Sequence, residues 1–216
     1  MKILVLTANC NYVNSRIVFA PQKSKHDITF FECKNETFGT RHLGLHSRLK
    51  AKIPKMLAWE VFPDYDYYVW MDYSFTIIRE DAVDWIVGDG TDLLRLHHHS
   101  CRSTILDELN TVEYDMKHGN QYLLDRYNGE NMREQVDSYF KKGYVDNKLF
   151  ECGLFSYSKE LVKNSDNNVM KDWFYHNCLW SVQDQLSLPY LLDKHNVKYK
   201  VLGVDIFNNG YFRYGF

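Results

Sequence analysis

The sequence has little with which to cross-link itself, gather nucleic acid or enter a membrane. Its five cysteines, Cys10, Cys33, Cys101, Cys152 and Cys178, are odd in number and show no CxxC spacing. Neither a disulfide framework nor a zinc knuckle is expected, and a reducing, cytoplasmic compartment is. There is no basic tract, and the net charge is -2, so no general field attracts nucleic acid. No apolar run approaches the roughly 20 residues of a membrane span. The N-terminal run from Ile3 to Leu6 is too short for a signal segment. Two phosphate-binding fingerprints are missing as well, the GxxxxGK(S/T) loop and a GxGxxG turn after the first strand. P-loop kinases and Rossmann dehydrogenases are disfavoured accordingly.

What is present reads as one folded unit. Hydrophobic residues make up 45% and charged residues 25% of 216 positions, which fits a single α/β domain over residues 1–216. The chain stops soon after its last predicted strand, as a domain excised from a longer protein would, and an N-terminal domain of such a protein is the alternative expectation. Aromatics reach 16%, with sixteen tyrosines, a supply that suits sugar or base stacking and core edges alike. Asn35-Glu36-Thr37 matches a glycosylation sequon, a chance match in a cytosolic protein.

Strands are predicted at Lys2 to Ala8, Ile28 to Cys33, Tyr67 to Asp72, Leu93 to His97, Cys152 to Tyr157 and Lys198 to Phe207. Apolar positions from Leu45 to Val61 recur at helical spacing between Leu43 and Phe62, where Pro54 must kink or divide the helix. Residues 81–87, pieces of 103–142 broken at Gly119 and Gly129 and ended by Gly143, 168–180 and 183–195 are also predicted helical, with Ser100 or Ser103 as a cap near Thr104. Strands alternating with helices point to a doubly wound α/β sheet. Ligands bind beyond the carboxyl ends of such strands, where Asn9-Cys10-Asn11, Asp72 and His97 to His99 fall.

Asp72 ends an otherwise apolar, aromatic strand, which makes it the leading candidate for a hard divalent ion that bridges phosphate oxygens; a turn or cap aspartate is the bland alternative. Arg48, Lys52 and Lys55 share one helical face and can neutralise phosphates, although a solvated face is the commoner reason for such a stripe. Adjacent residues of a strand face opposite ways, so His97 and His99, or His98 alone, can reach a common site. The acidic residue of Gln183-Asp184-Gln185 can bind sugar hydroxyls, support positive charge on a sugar, or cap its helix.

Taken in order, Arg48, Lys52 and Pro54, Phe62-Pro63 through Trp70-Met71-Asp72, His98 or His99 with Arg102 and Glu108, Glu151-Cys152-Gly153-Leu154, and Asp184-Gln185-Leu186-Ser187 resemble nucleotide-sugar glycosyltransferases of the GT-A type. The set is also similar to a plant and microbial glycosyltransferase-like family with Lys…Pro…Phe-Pro, Trp-x-Asp and Asp-Gln-Leu-Ser elements. It is similar too to the N-terminal glycosyltransferase domain of a large algal-virus enzyme that builds capsid-protein glycans. The resemblance implies a GT-A-like single domain whose central, mostly parallel twisted sheet is flanked by helices. It implies a UDP-linked sugar donor and Mn2+ or Mg2+ held by Asp72. Thr7, Ala8 and Asn9 would line the base and ribose pocket, Arg48 and Lys52 would approach the phosphates, and Glu151 and Asp184 would face the transferred sugar or acceptor. The acceptor would be a glycan or glycoprotein, a capsid protein in host cytoplasm if the chain is viral. The Asp-Gln element resembles those of retaining enzymes. Tyr73-Ser74 departs from the GT-A pattern by supplying no second aspartate, so further metal ligands are expected from water, phosphate or side chains such as His98 or Asp205. Two rival readings remain: a catalytically silent nucleotide-sugar or glycan-binding module, and a hydrolase with zinc on Asp72 and the histidines.

Overall fold

A computed structural model describes residues 1–10, 19–37, 47–163 and 168–215. The expected Asn11, Leu43, Leu45 and Phe216 positions lie outside the described residues. The main sheet holds six strands: β1 (Lys2–Asn9), β2 (Asp27–Lys34), β3 (Tyr67–Met71), β5 (Leu94–His98), β6 (Phe150–Ser158) and β7 (Lys200–Leu202). Their order is β2-β1-β3-β6-β5-β7. β6 pairs antiparallel with both neighbours, and the other pairings are parallel. The expected mostly parallel sheet flanked by helices is therefore observed. A small second sheet pairs β4 (Phe75–Ile77) with β8 (Phe212–Tyr214).

Pleating sorts the side chains into two cores. Leu4 and Leu6 of β1 and Tyr68 and Trp70 of β3 face a cluster shared with Met56, Trp173, Leu188 and Leu191. That face carries α1 (Ser47–Met56), α2 (Ala58–Val61), α7 (Val169–Leu179) and α8 (Asp184–Lys194). Ile3, Val5, Val69 and Met71 point the other way, against Val83 and Ile86 of α3 (Ala82–Val87) and Phe212 of β8. A third core joins α4 (Ile105–Lys117), α5 (Gln121–Tyr127) and α6 (Met132–Lys141) to Leu186 of α8. Burial of aliphatic side chains contributes roughly 1.5–3 kcal/mol each before conformational entropy is subtracted.

Pro54 lies inside α1, and the helix runs on to Met56 before breaking at Leu57. Division rather than a kink is the outcome, because proline removes one intrahelical donor near the end of the segment. The helices of residues 105–141 end just before Gly119, Gly129 and Gly143, all with φ near +83°, a backbone region that glycine enters without steric cost. The cap of α4 is Thr104, not Ser100 or Ser103: its hydroxyl accepts from the Asp107 N–H at 3.0 Å. The Asp146 carboxylate takes the Ile105 and Leu106 N–H groups, so this helix start is satisfied from two sides. The predicted final strand shortens to Lys200–Leu202.

Candidate active site

β1, β3 and β5 all point their carboxyl ends at one edge of the sheet. The reversed strand β6 starts there instead, so its first residues reach the same edge. A cleft of about 850 Å3 opens at this edge. It is lined by Ala8 of β1, Arg48, Lys52 and Lys55 of α1, Asp72 after β3, Arg126 of α5, Glu151 of β6 and Asp184 of α8.

Asp72 reaches the cleft through the pleat. Tyr68 and Trp70 face α1, so the next position of the same parity does too. The Trp70 indole donates to Asp72 Oδ1 at 2.7 Å, and Lys55 Nζ lies 3.5 Å from the same oxygen. Oδ2 looks toward Gly153, where a built Cβ would stand 3.2 Å from it and 3.0 Å from the Phe75 ring. Gly153 belongs to an irregular stretch: Arg95 pairs with Ser156 and His97 with Glu151, so β6 carries extra residues there. The Gly153 carbonyl also accepts the Asp72 N–H at 2.7 Å. The side chain of Asp72 is 43% exposed, unlike the buried charges beside it.

Those charges form a compact group. Asp184 Oδ2 accepts from both Lys52 and Lys55, the latter at 2.6 Å, and all three side chains are buried. Burial alone would raise the Asp184 pKa, but the two ammonium groups override it and hold the carboxyl well below the usual range. Burial lowers Lys52 to about 8 against the pull of Asp184. Lys55 is pushed down by burial and, more strongly, up by Asp184 and Asp72, so it stays charged. The basic stripe of α1 is thus no solvated face; its lysines meet a carboxylate delivered by α8. Asp184 lines the cleft as their anchor, with one oxygen already committed to them.

Glu151 sits in a second network. Its Oε1 lies 3.4 Å from His99 Nε2, and Gln185 donates to its Oε2 at 3.1 Å. His99 Nδ1 accepts the N–H groups of Cys101 and Arg102. The Arg102 guanidinium lies 3.0 Å from Nε2, so donors face both ring nitrogens. Burial, with Arg102 adding to it, lowers His99 to about 4, so the ring is neutral. Arg102 pairs with Glu108. Gln183 bridges Glu108 Oε1 at 2.7 Å and accepts from the Tyr127 hydroxyl at 2.8 Å. Burial raises Glu151 to about 7.

Of the residues singled out from sequence, the cleft gathers Ala8, Arg48, Lys52, Asp72, Glu151 and Asp184. Thr7 and Asn9 do not line it, because three consecutive strand residues cannot share a face. Thr7 is fully buried with its hydroxyl unpartnered among the described residues, and Asn9 donates to Glu32 at 3.1 Å. His97 is buried on the α3 side, 6.0 Å from the Trp85 ring, and His98 stacks on Phe150; neither lines the cleft, whereas His99 does. Asp205 is exposed and accepts the Phe207 N–H instead. Sequence reasoning missed Arg126, Tyr127 and the clearance at Gly153.

Among the described residues no group of three or more His, Cys, Asp or Glu could hold a metal. A ready-made zinc site on the histidines is accordingly not formed by those residues. A single exposed carboxylate facing a polar cleft does fit magnesium or manganese, which commonly keep water and take phosphate oxygens alongside one protein carboxylate.

The architecture is one that glycosyltransferases adopt. Mouse xyloside xylosyltransferase 1, in its apo form, is similar at 7% identity with a TM-score of 0.51, over 94% of this chain and 85% of that one. A glycosyltransferase involved in glycosylation of the major capsid of PBCV-1 aligns at 9% identity and a TM-score of 0.44, over 93% and 80%. The chain belongs to the TOD1/MUCI70 glycosyltransferase-like domain family, whose profile matches residues 42–214. A sequence search of curated proteins returns no match. Among the described residues no helix is long and apolar enough to cross a membrane.

Proposed function

We propose that this glycosyltransferase moves a hexose from a UDP-sugar to a glycan or glycoprotein acceptor with the help of Mn2+ or Mg2+. The observation that carries the reading is Asp72, whose carboxylate is 43% exposed at the edge of a cleft where Asp184 is held by two buried lysines. Breaking the bond from sugar C1 to the phosphate oxygen leaves negative charge on the departing diphosphate and positive charge on the ring. When bound, the divalent ion neutralises the leaving diphosphate. Asp72 would hold that ion, its second oxygen fixed by the Trp70 indole. Lys55 lies behind Asp72 and adds positive potential without leaving Asp184, and Arg48 approaches the phosphates from the start of α1.

Retention of anomeric configuration is part of the proposal. Asp184 is locked between two ammonium groups and is no base for an acceptor hydroxyl. Glu151, held by Gln185 and close to His99, orients hydroxyl groups of the sugar or acceptor. The five cysteines are free thiols, which supports a cytoplasmic setting. A viral capsid glycoprotein belongs on the panel of acceptors to assay.

Thermal stability measured with UDP, Mn2+, both, or Zn2+ tests the reading. Ligand at about 100 times its Kd adds about 2.7 kcal/mol, a rise of about 5–10 °C for a chain of this length. Stabilisation that needs UDP and Mn2+ together, with UDP released from a UDP-sugar, is the expected result. Binding without release defines a silent module, and stabilisation by Zn2+ alone defines the hydrolase; either outcome rejects the proposal.

A further inference from the structure

The cations of this cleft differ in one respect. Lys52 and Lys55 are satisfied by Asp184, and Arg102 by Glu108. Arg126 has no such partner: among the described residues no carboxylate oxygen comes within the 4.0 Å of an ion pair. Its guanidinium lies over the rings of Tyr122 and Tyr127, 4.9 and 5.4 Å from their centroids, and donates to the Tyr122 hydroxyl. Burial pushes the Tyr127 phenol up, so that ring carries no charge to balance the arginine. The Arg126 Nε is buried without any hydrogen-bond partner.

An arginine stacked on two aromatic faces is held in place by weak electrostatic attraction to the rings. Nη1 is taken by the Tyr122 hydroxyl, but Nε has no acceptor, and a buried donor without an acceptor is costly. The missing acceptor is therefore an anion that enters with the ligand. Because Arg126 and Asp72 line one continuous cleft, we propose that Arg126 binds the diphosphate of the donor from α5. Tyr122 and Tyr127 act as positioning residues that hold the guanidinium plane. This inference rests on the nucleotide-sugar reading for the identity of the donor, but the anion site itself does not.

Isothermal titration of the whole chain with inorganic pyrophosphate at fixed Mg2+ tests the site, with UDP and glucuronate as parallel probes. Arg126→Ala is expected to weaken pyrophosphate and UDP by about tenfold or more, and Arg126→Lys by less, since lysine keeps the charge but loses the fork. Far-UV circular dichroism checks the fold, and the lysine variant keeps the test alive if the alanine variant unfolds. Unchanged pyrophosphate affinity in a folded variant, or a wild-type protein that binds no pyrophosphate, overturns the proposal. So does an Arg126 dependence seen with glucuronate and not with pyrophosphate, which would make the ligand an acidic sugar. Arg126-dependent pyrophosphate binding with UDP bound no more tightly upholds the anion site and rejects the nucleotide reading separately.

Discussion

The buried charge group of α1 and α8 makes a prediction that can be worked through. Asp184→Asn removes the carboxylate shared by Lys52 and Lys55 and leaves two buried ammonium groups with only Asp72, 3.5 Å from Lys55, as a partner. Removing one side of a buried ion pair typically costs about 3–5 kcal/mol. At roughly 2–4 °C per kcal/mol for a chain of this length, Tm should fall by about 6–20 °C at neutral pH. The pH dependence carries a sign. Lys52 already titrates low, near 8, because burial disfavours its charge, and without Asp184 it should titrate lower still. A lysine whose folded pKa is below the unfolded 10.5 makes stability rise with pH between those two values. The deficit of the variant should therefore narrow as pH rises from 7 to 9. Adding Lys52→Met to Asp184→Asn should recover about 2 kcal/mol, since one uncompensated charge is gone. Differential scanning calorimetry across this pH range reads all three effects. A variant melting within 2 °C of wild type, or a double variant no more stable than the single one, would show that the ion group is incidental.

Three further outcomes follow from the same geometry. Asp72→Asn should leave Tm within about 2 °C while abolishing the Mn2+-dependent part of UDP binding; metal-dependent turnover at saturating donor would remove this residue from the site. Gly153→Ala places a methyl group against Asp72 Oδ2 and the Phe75 ring, so a loss of about 1–3 kcal/mol and weaker metal-dependent binding are expected, read by denaturant titration and calorimetry. Glu151, raised to about 7 by burial, binds its proton more tightly when folded than unfolded, so stability drains away as pH climbs from about 4.5 through 7. Glu151→Gln should erase that decline, gaining up to about 3 kcal/mol above pH 7; parallel stability curves for variant and wild type would contradict it.

Much of the frame was legible because buried strands and amphipathic helices announce themselves by composition and period. Lys2 to Ala8 and Tyr67 to Asp72 lie within a residue of β1 and β3, and the breaks at Gly119, Gly129 and Gly143 were readable from glycine alone. The two-stranded sheet of β4 and β8 was not, since three-residue strands carry no period and the two strands are far apart in the chain. Asp72 was found because a carboxylate interrupts an apolar strand, and the Arg48, Lys52, Lys55 stripe because helical spacing exposes it. What the stripe meets was invisible: the partner of Lys52 is 132 positions away. Of Thr7, Ala8 and Asn9, a set that the resemblance supplied, Ala8 lines the cleft and its two neighbours do not, because side chains alternate along β1. Arg126 had no signal in the sequence at all, because a cation lacking an internal partner looks like any other until its neighbours are known.

The separation between Lys52 and Asp184 has a consequence for how the chain comes into being. While a ribosome is still making the middle of the protein, Lys52 lacks the carboxylate it meets in the fold and Lys55 has only Asp72 beside it. Only when α8 emerges can the two ends of the fold be drawn together, so the pocket is among the last parts to mature. A chain released before that moment holds strands and helices enough to collapse, yet lacks the acid that lets its basic side chains leave solvent.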